Sequence, residues 1–489
     1  MRRVGVIGSG FAGLSAAACL AKAGLEVTVL EKNAIPGGRA RTFGKDGFVF
    51  DMGPSWYWMP EVFEQFYNTF GKTASDYYTL KRLDPSYDVV FGPGDKMPMP
   101  ANYAELQKSF EALEPGSAAR LDAFLKDAEY KYQTGMQEFV WKPSHSVMEF
   151  ADLRVAMSLF RLQMLSSVAK QIDSLFRNEK IRNILKFPVL FLGATPENTP
   201  ALYSLMNYAD IKLGTWYPMG GMYKVVEAFV DIAKSQGVNI QTNSEVTRID
   251  VKGRKAVRVH TQGSEMEFDA IVAAADYHHV DQKLLPQGTK NYSADYWSKR
   301  TMAPSSLLFY IGLNRKIDGL SHHTLYFDRD FRAHAHEIYT QPAWPKEPLF
   351  YVCAPSVTDD SVAPAGMENL FFLMPLAPGL LDTETLREEY FDRLCERFAE
   401  HTGIDIRQHI TYKQSYCVND FVKDYHAFRG NAYGLANTLM QTAFLKPKLK
   451  NRHLDNFYYA GQLTTPGPGV PPSIISGQVV ASEILATLK

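Results

Sequence analysis

Cysteine is scarce and scattered: Cys19, Cys353, Cys395 and Cys417 are the only four in 489 residues, and none is spaced as a paired metal clip. Nothing in the sequence calls for disulfides, so a reducing, cytoplasmic setting is expected. Charge of one sign is also missing. Lys and Arg number 52 against 53 Asp and Glu, for a formal net charge of -1, which excludes nucleic-acid binding by bulk charge. Hydrophobic residues make up 46% of the chain, so disorder is excluded as well. No charge-free apolar run is long enough to cross a bilayer, and the first strand begins almost at residue 1, so no signal peptide is expected. Membrane contact is therefore expected to be peripheral. Internal repeats, low-complexity linkers and a clear His/Asp or Cys/His dyad are absent too. The length suits two or three interwoven lobes rather than one core.

What is present starts at once. Val4 to Ile7 is a short apolar run that enters Gly8-Ser9-Gly10-Phe11-Ala12-Gly13, and a small-residue helix follows over Leu14 to Ala23. A second apolar strand, Val27 to Leu30, ends at Glu31. This is a complete dinucleotide fingerprint. Gly8 permits the tight turn, Gly10 lets the backbone approach a pyrophosphate, and Gly13 lets the helix pack on the strand. The helix start presents free N–H groups and a positive dipole end to phosphates, while Glu31 is placed to accept hydrogen bonds from a ribose. Ser9, Phe11, Ala12 and Lys32 belong to the same expected site.

Gly37-Gly38-Arg39 and Asp51-Met52-Gly53-Pro54-Ser55 come next. The order resembles the extended signature of the flavoprotein superfamily that holds amine oxidases and carotenoid desaturases, and the resemblance favours FAD over NAD. It implies that Gly38 and Arg39 lie under the flavin side near the phosphates, with Gly53, Pro54 and Ser55 close by. Glycines allow backbone packing against a cofactor, and the guanidinium supplies charge-assisted donors.

Further along, Trp56-Tyr57-Trp58-Met59-Pro60 is an aromatic cluster that is either core or the wall of a substrate cavity. From Tyr103 to about Arg182 the pattern is helical. Leu153, Met157, Phe160, Met164, Val168, Ile172 and Leu175 form one apolar stripe, accompanied by Arg154, Arg161, Lys170 and Arg177. Such a stripe suits either a domain-packing helix or an interfacial membrane helix. Trp216-Tyr217-Pro218 and Gly220-Gly221 open a helix over Tyr223 to Ser235, and a strand with Val246, Ile249 and Val251 is expected to return to the nucleotide sheet. Residues 291–411 alternate strands and loops, with an amphipathic helix over Thr383 to His401. His278-His279 and His322-His323 are read as core or loop histidines rather than metal ligands, since neighbours on a strand point to opposite faces. No metal is expected.

The C-terminal stretch runs from a strand into Ala460-Gly461-Gln462, a Pro and Gly-rich loop ending in Gly469-Val470-Pro471, and a last helix. That helix start offers its dipole to a flavin or phosphate. With Gly8 to Gly13, Gly37-Gly38-Arg39, Asp51 to Pro54, Trp216 to Gly221, His322-His323-Thr324 and the Pro466 to Pro472 loop, the whole chain resembles the bacterial phytoene desaturase family of carotenoid biosynthesis. Trp56 to Pro60 and Asn431-Ala432-Tyr433-Gly434 are similar to the Bacteroidetes-type members. Gln462 departs from the pattern, where relatives carry an acidic or a small residue.

The resemblance implies an α/β fold: a Rossmann-like FAD-binding domain over residues 1–90, 215–290 and 415–489, a mainly helical substrate or membrane-contact lobe over 91–214, and an interleaved mixed-sheet substrate domain over 291–414. It places the backbone of Val246 at the adenine, and it implies a protein at the inner face of the inner membrane that oxidises a hydrophobic carotenoid, with oxygen or a quinone as final acceptor. The expected reaction is stepwise desaturation of 15-cis-phytoene towards all-trans-lycopene, with a hydride leaving for flavin N5 and a proton lost from the resulting allylic cation. Positioning and water exclusion matter most there, so no catalytic acid or base is named. Asp420 and Arg429 are possible participants by position, and Trp56, Tyr57, Trp216 and Tyr217 are candidates to line an elongated channel. A later-pathway desaturase of hydroxylated or cyclic carotenoids, a carotenoid isomerase, a flavin amine oxidase and a flavin-free prenyl-lipid chaperone remain open alternatives. The oligomeric state is not specified. If the Leu153 to Phe176 stripe docks on lipid, Met157→Asp with Phe160→Asp abolishes liposome flotation and leaves FAD bound; unchanged flotation removes the stripe from consideration.

Overall fold

Five parallel strands form the first layer of the computed structural model, which describes residues 2–143, 166–438 and 440–488. Across this sheet the order is Phe457–Tyr459, Ala270–Ala273, Arg3–Ile7, Glu26–Leu30 and Asn239–Gln241. Val4 lies opposite Ala270 on one side and Val27 on the other, so the first strand is central. Parallel neighbours need crossovers, and the helix Phe11–Lys22 supplies the first. Its small residues let other helices come close. A Cβ added at Gly477 of the last helix, Val470–Leu488, would stand 2.1 Å from Ser15 Oγ and 2.2 Å from the Ala12 carbonyl oxygen. Ser15 Oγ donates to the Ile474 carbonyl across that contact (3.1 Å). The helix Tyr223–Ser235 packs nearby through Phe229, which meets Phe11 edge-on at 5.1 Å and stacks on Phe66 of the helix Pro60–Thr69 at 4.1 Å.

The second layer is a seven-stranded mixed sheet in the order Ile410–Tyr416, Ser305–Leu313, Glu368–Leu376, Phe350–Cys353, His323–Tyr326, Tyr87–Gly92 and Asp95–Met99. Its neighbours are antiparallel except for His323–Tyr326 with Tyr87–Gly92. The helix Glu384–Thr402, capped by the Thr383 hydroxyl, covers one face and sets Phe391 against Phe309 at 4.9 Å. The strand Ser305–Leu313 is buried along its whole length, as a strand covered on both faces must be.

Two expectations differ from the structure. The strand Val246–Lys252 does not return to the nucleotide sheet: it pairs with Lys255–Thr261 in a separate antiparallel sheet of three strands, and Asn239–Gln241 takes the edge position instead. Its pattern is buried on one side only, which suits an outer sheet and not a doubly covered parallel one. The expected boundary at residues 90 and 91 cuts the strand Tyr87–Gly92, whose hairpin partner carries the seven-stranded sheet into the region expected to be mainly helical. That region otherwise holds the helices Tyr103–Leu113, Ser117–Thr134, Val168–Leu175 and Glu179–Lys186. Of the apolar stripe, Leu153, Met157, Phe160 and Met164 lie outside the described residues, as do Arg154 and Arg161. Val168 and Ile172 are buried in the core, and Lys170 and Arg177 are exposed. Among the described residues no helix is long and apolar enough to cross a membrane.

The helix crossing at Gly477 is a packing constraint with no slack. Gly477→Ala therefore destabilises the protein by ~1–3 kcal/mol through overpacking, read as a lower melting temperature; an unchanged melting point shows that the two helices can separate freely.

Candidate active site

A single cavity of ≈ 480 Å³ runs along the carboxyl ends of the parallel strands and on beneath the seven-stranded sheet. Every residue expected to bind the cofactor lines it, except Gly13. Gly13 works from behind: a Cβ there would stand 2.0 Å from the Gly8 carbonyl oxygen, so only glycine lets helix and turn close up. At Gly10 the opposite holds. A Cβ would meet nothing within 4 Å, leaving the backbone open to the cavity. Gly10 is also the N-cap of the helix Phe11–Lys22 and no side chain caps it, so the first-turn N–H groups of Phe11 and Ala12 face the cavity.

Glu31, at the end of the second strand, accepts from the Ser9 amide (2.9 Å) and hydroxyl (2.6 Å) with one oxygen, and from the Asn33 amide (2.8 Å) and side chain (3.0 Å) with the other. The carboxylate thus pins the glycine turn to the neighbouring strand. Lys32 Nζ donates to the Lys423 carbonyl and lies 3.2 Å from His426 Nε2, which is 2.7 Å from Glu245. Val246 lines the cavity beside this polar group.

The second glycine turn locks onto the first. Gly37 donates its N–H to the Ser9 carbonyl (3.0 Å), and a Cβ at Gly38, whose φ is +57°, would stand 3.2 Å from Gly10 Cα. This geometry carries Arg39 into the interior. With the Gln462 amide oxygen turned towards it, the guanidinium donates from Nη1 at 3.1 Å and from Nη2 at 2.9 Å. Nη2 also donates to the Asn431 carbonyl (3.3 Å), and the guanidinium carbon lies over the Tyr425 ring, 5.1 Å from its centre. Burial lowers the Arg39 pKa, and Asp276 opposes that shift. Burial pushes Asp276 up to about 6 against the donors His279 N and Phe428 N and the charge of Arg39. Arg39 Nε is buried without a partner. A buried donor left open at a cavity wall, beside an uncapped helix start and a bare Gly10, fits an anionic dinucleotide.

Asp51 and the paired glycines Gly220-Gly221 form a device of their own. The Asp51 carboxylate accepts from Met222 N (2.6 Å) and Tyr223 N (3.1 Å) at the start of the helix Tyr223–Ser235. A Cβ at Gly221 would press on the carboxylate at 2.9 Å. Burial raises the Asp51 pKa to about 6. The cap fixes the strap Met52 to Ser55, and a Cβ at Gly53 would stand 2.4 Å from the Arg39 carbonyl oxygen. Gly53, Pro54 and Ser55 therefore form cavity wall immediately next to Arg39.

At the C-terminus, Gly461 donates its N–H to Ser476 Oγ (3.0 Å), and Gly469, Val470 and Pro471 bring the start of the last helix to the cavity. Pro471 and Pro472 have no N–H, so this helix start meets a ligand with few donors. Gln462, the departure from the family pattern, is explained by its hydrogen bonds to Arg39.

Beyond Ser55 the lining turns apolar, with Leu308, Leu325, Phe327, Ile338, Leu349 and Leu373 among its residues. Of the four channel candidates only Trp56 lines it. Tyr57 is fully buried elsewhere, stacked on Phe63 at 4.2 Å with its hydroxyl 3.0 Å from that of Tyr78. Trp216 donates to the Leu213 carbonyl (2.9 Å), and the Tyr217 hydroxyl donates to Asp359 (3.2 Å). The cause is extended backbone: Trp56 and Trp58 face the cavity, so Tyr57 between them faces away, where it bridges to Trp216. Asp420 pairs with Arg387 at 2.7 Å and Arg429 is exposed, so neither lines the cavity. His278 packs on Phe428 and His279 stacks on His426, each at 3.9 Å. His322 and His323 are in the core but not on opposite faces. His322 precedes the strand His323–Tyr326, and the two rings lie 4.5 Å apart.

This arrangement defines a dinucleotide-dependent oxidoreductase whose cofactor cleft opens into an apolar chamber. The family model for flavin-containing amine oxidoreductases matches residues 11–485, and the chain belongs to that family. Within it the chain falls in the carotenoid desaturase branch, as an FAD-dependent oxidoreductase. It is 41% identical over 483 residues to a carotenoid 3,4-desaturase of Haloarcula japonica, covering 99% of this chain and 98% of that one. It is 33% identical over 500 residues to a 4,4'-diapophytoene desaturase (4,4'-diaponeurosporene-forming) of Staphylococcus aureus, covering 100% of this chain and 99% of that one. Among solved structures, an oxidoreductase from Methanosarcina mazei superposes with a TM-score of 0.64 at 15% identity over 98% of this chain and 100% of that one. Wild-type putrescine oxidase bound to putrescine gives 0.62 at 13% identity, covering 99% of both chains. At those identities the structures share the fold.

Arg39→Met lowers FAD affinity ~10- to 100-fold, the worth of a charge-assisted hydrogen bond of ~1.5–3 kcal/mol, in a fluorescence titration of the cofactor-free protein. That protein is also expected to melt lower than wild type, because the change leaves Asp276 without its counter-charge and the Gln462 and Asn431 oxygens without their donor, so affinity is compared on protein shown to be folded. Unchanged affinity would take Arg39 out of the cofactor site.

Proposed function

We propose that the protein desaturates a linear carotenoid near the end of its conjugated chain, at the 3,4 bond. The observation that carries the reading is the shared cavity. The charged side chains on its wall, Glu31, Lys32, Arg39, Glu245, Asp276 and Asp424, belong to the glycine turns, the segments flanking strands and the end of the helix Val418–Tyr425, while the chamber under the seven-stranded sheet is walled mainly by aliphatic and aromatic side chains. A long hydrocarbon fits such walls, and a water-soluble amine would find no counter-ion there. The 3,4 position is supported by the Haloarcula relative, which shares 41% identity over nearly the whole chain against 33% for the diapophytoene desaturase. Conversion of 15-cis-phytoene towards all-trans-lycopene is the second reading, supported only by the phytoene-type compound, 4,4'-diapophytoene, in the latter relative's name.

FAD supplies a two-electron acceptor for hydride when bound. The chain's own residues do the rest. Gly8, Gly10, Arg39 and the helix start at Phe11 hold the dinucleotide, the Met52 to Ser55 strap sets the depth at which the cleft meets the chamber, and the apolar walls exclude water. The substrate dissolves in the bilayer, so we further propose peripheral contact with the inner membrane from the cytoplasmic side, and reoxidation by oxygen or a quinone.

The test is to supply FAD-loaded protein with liposomes carrying either phytoene or a carotenoid whose conjugation stops short of the 3,4 bond, and to follow the pigment's absorption. A red shift with the second substrate alone is expected. Lycopene-type bands from phytoene would favour the second reading, and no shift with any carotenoid would overturn both.

A further inference from the structure

Desaturation removes two hydrogens from neighbouring carbons. One leaves with its electron pair as hydride, so the other must leave as a proton, and a hydrocarbon has no group of its own to take it. The acceptor must stand where the cleft meets the chamber. The polar side chains available there are Ser55, Ser306, His334, Tyr339, Tyr351 and Tyr433. His334 is spoken for: Nδ1 accepts from Leu349 N (3.0 Å) and Nε2 is 3.0 Å from the Pro375 carbonyl. Tyr433 faces Ser306, and Tyr339 faces Tyr433; neither neighbour is a base.

Tyr351 differs. Its hydroxyl is 2.6 Å from His323 Nδ1 and 2.9 Å from Ser55 Oγ, two residues beyond the glycine packed on Arg39. When the hydroxyl donates to Nδ1, the imidazole carries its proton on Nε2, which is buried without a partner. Trp56 lies flat against the ring, 4.1 Å away and 11° from parallel, an arrangement that favours the cationic imidazolium once it forms.

Resting on the desaturase reading, we propose that the Tyr351 hydroxyl is the proton acceptor of the reaction and that His323 holds the proton through it. As the C–H bond next to the allylic cation breaks, its electron pair becomes the new C=C bond. The released proton bonds to Tyr351 Oη while the original Oη proton passes to His323 Nδ1, giving a neutral tyrosine and an imidazolium. The substrate has then lost two hydrogens and two electrons, with FAD as the only oxidant required. Burial holds the His323 pKa well below that of a free histidine, so the base is weak. A proton beside a carbocation is far more acidic than an imidazolium, so a weak base suffices.

The test uses the full-length, FAD-loaded protein in carotenoid liposomes, with Tyr351→Phe and His323→Phe, both of which keep an aromatic ring in place. Each is expected to keep its FAD content and KM and to lose turnover ~100-fold. The double variant is expected to lose no more than either single one, because the two act as a unit. Either single variant turning over like wild type, or losses that multiply, would overturn the proposal. Independently of activity, ¹⁵N-histidine NMR of the wild-type protein is expected to show one buried imidazole with an unprotonated, hydrogen-bonded Nδ1 whose signal shifts in Tyr351→Phe; a proton on that Nδ1 overturns the proposal even if a variant fails to fold. A wild-type protein inactive on every carotenoid would instead sink the desaturase reading.

Discussion

Arg39 is a full charge in the interior, and the organisation of the cofactor cleft follows from accommodating it. Its donors reach Gln462 from the C-terminal loop and Asn431 from the loop before it, its charge is answered by Asp276 at the end of a central strand, and Tyr425 lies over it. Segments more than 400 residues apart in sequence therefore meet on one guanidinium. Removing a charge from water is unfavourable unless every donor finds an acceptor, and Nε still lacks one. The cleft is built around a guanidinium that keeps one donor without an acceptor.

The backbone around that charge is equally constrained. Gly53 over the Arg39 carbonyl and Gly13 over Gly8 are too close for any side chain, and Gly38, tight against Gly10, holds a left-handed φ of +57°. These contacts explain why the cleft was legible in the sequence. A turn that only glycine can make, a helix start without a cap and an acidic residue ending a strand are local demands, written within a few residues of one another. The chamber was not legible for the converse reason. Its walls come from Ser305–Leu313 and Glu368–Leu376, strands buried almost throughout, so alternation does not tell which side chains face the ligand. The aromatic run Trp56 to Trp58 misled in the same way. Trp56 and Tyr57 were both candidates for the channel wall, but an extended chain sends Tyr57 to the other side. Tyr351 and His323 could not have been paired from sequence, since they meet through antiparallel pairing of two strands, with His323 opposite Cys353.

The change of lining from charged to apolar along one cavity also bears on the chemistry. An allylic cation in a low-dielectric chamber is attracted strongly to any carboxylate within reach, and a carboxylate there would be as able to bond to carbon as to take a proton. Water would add to the cation in the same way. A tyrosine hydroxyl backed by a buried neutral imidazole avoids both outcomes: it is a poor nucleophile, it brings no net charge into the chamber before reaction, and Trp56 steadies the charge that appears afterwards. Of the carboxylates on the wall, Glu31, Asp276 and Asp424 meanwhile spend lone pairs on backbone N–H groups and arginine, and Glu245 faces His426 and Lys32. Keeping full charges at the dinucleotide and neutral donors at the polyene is what lets one cavity hold an anion and a hydrocarbon together.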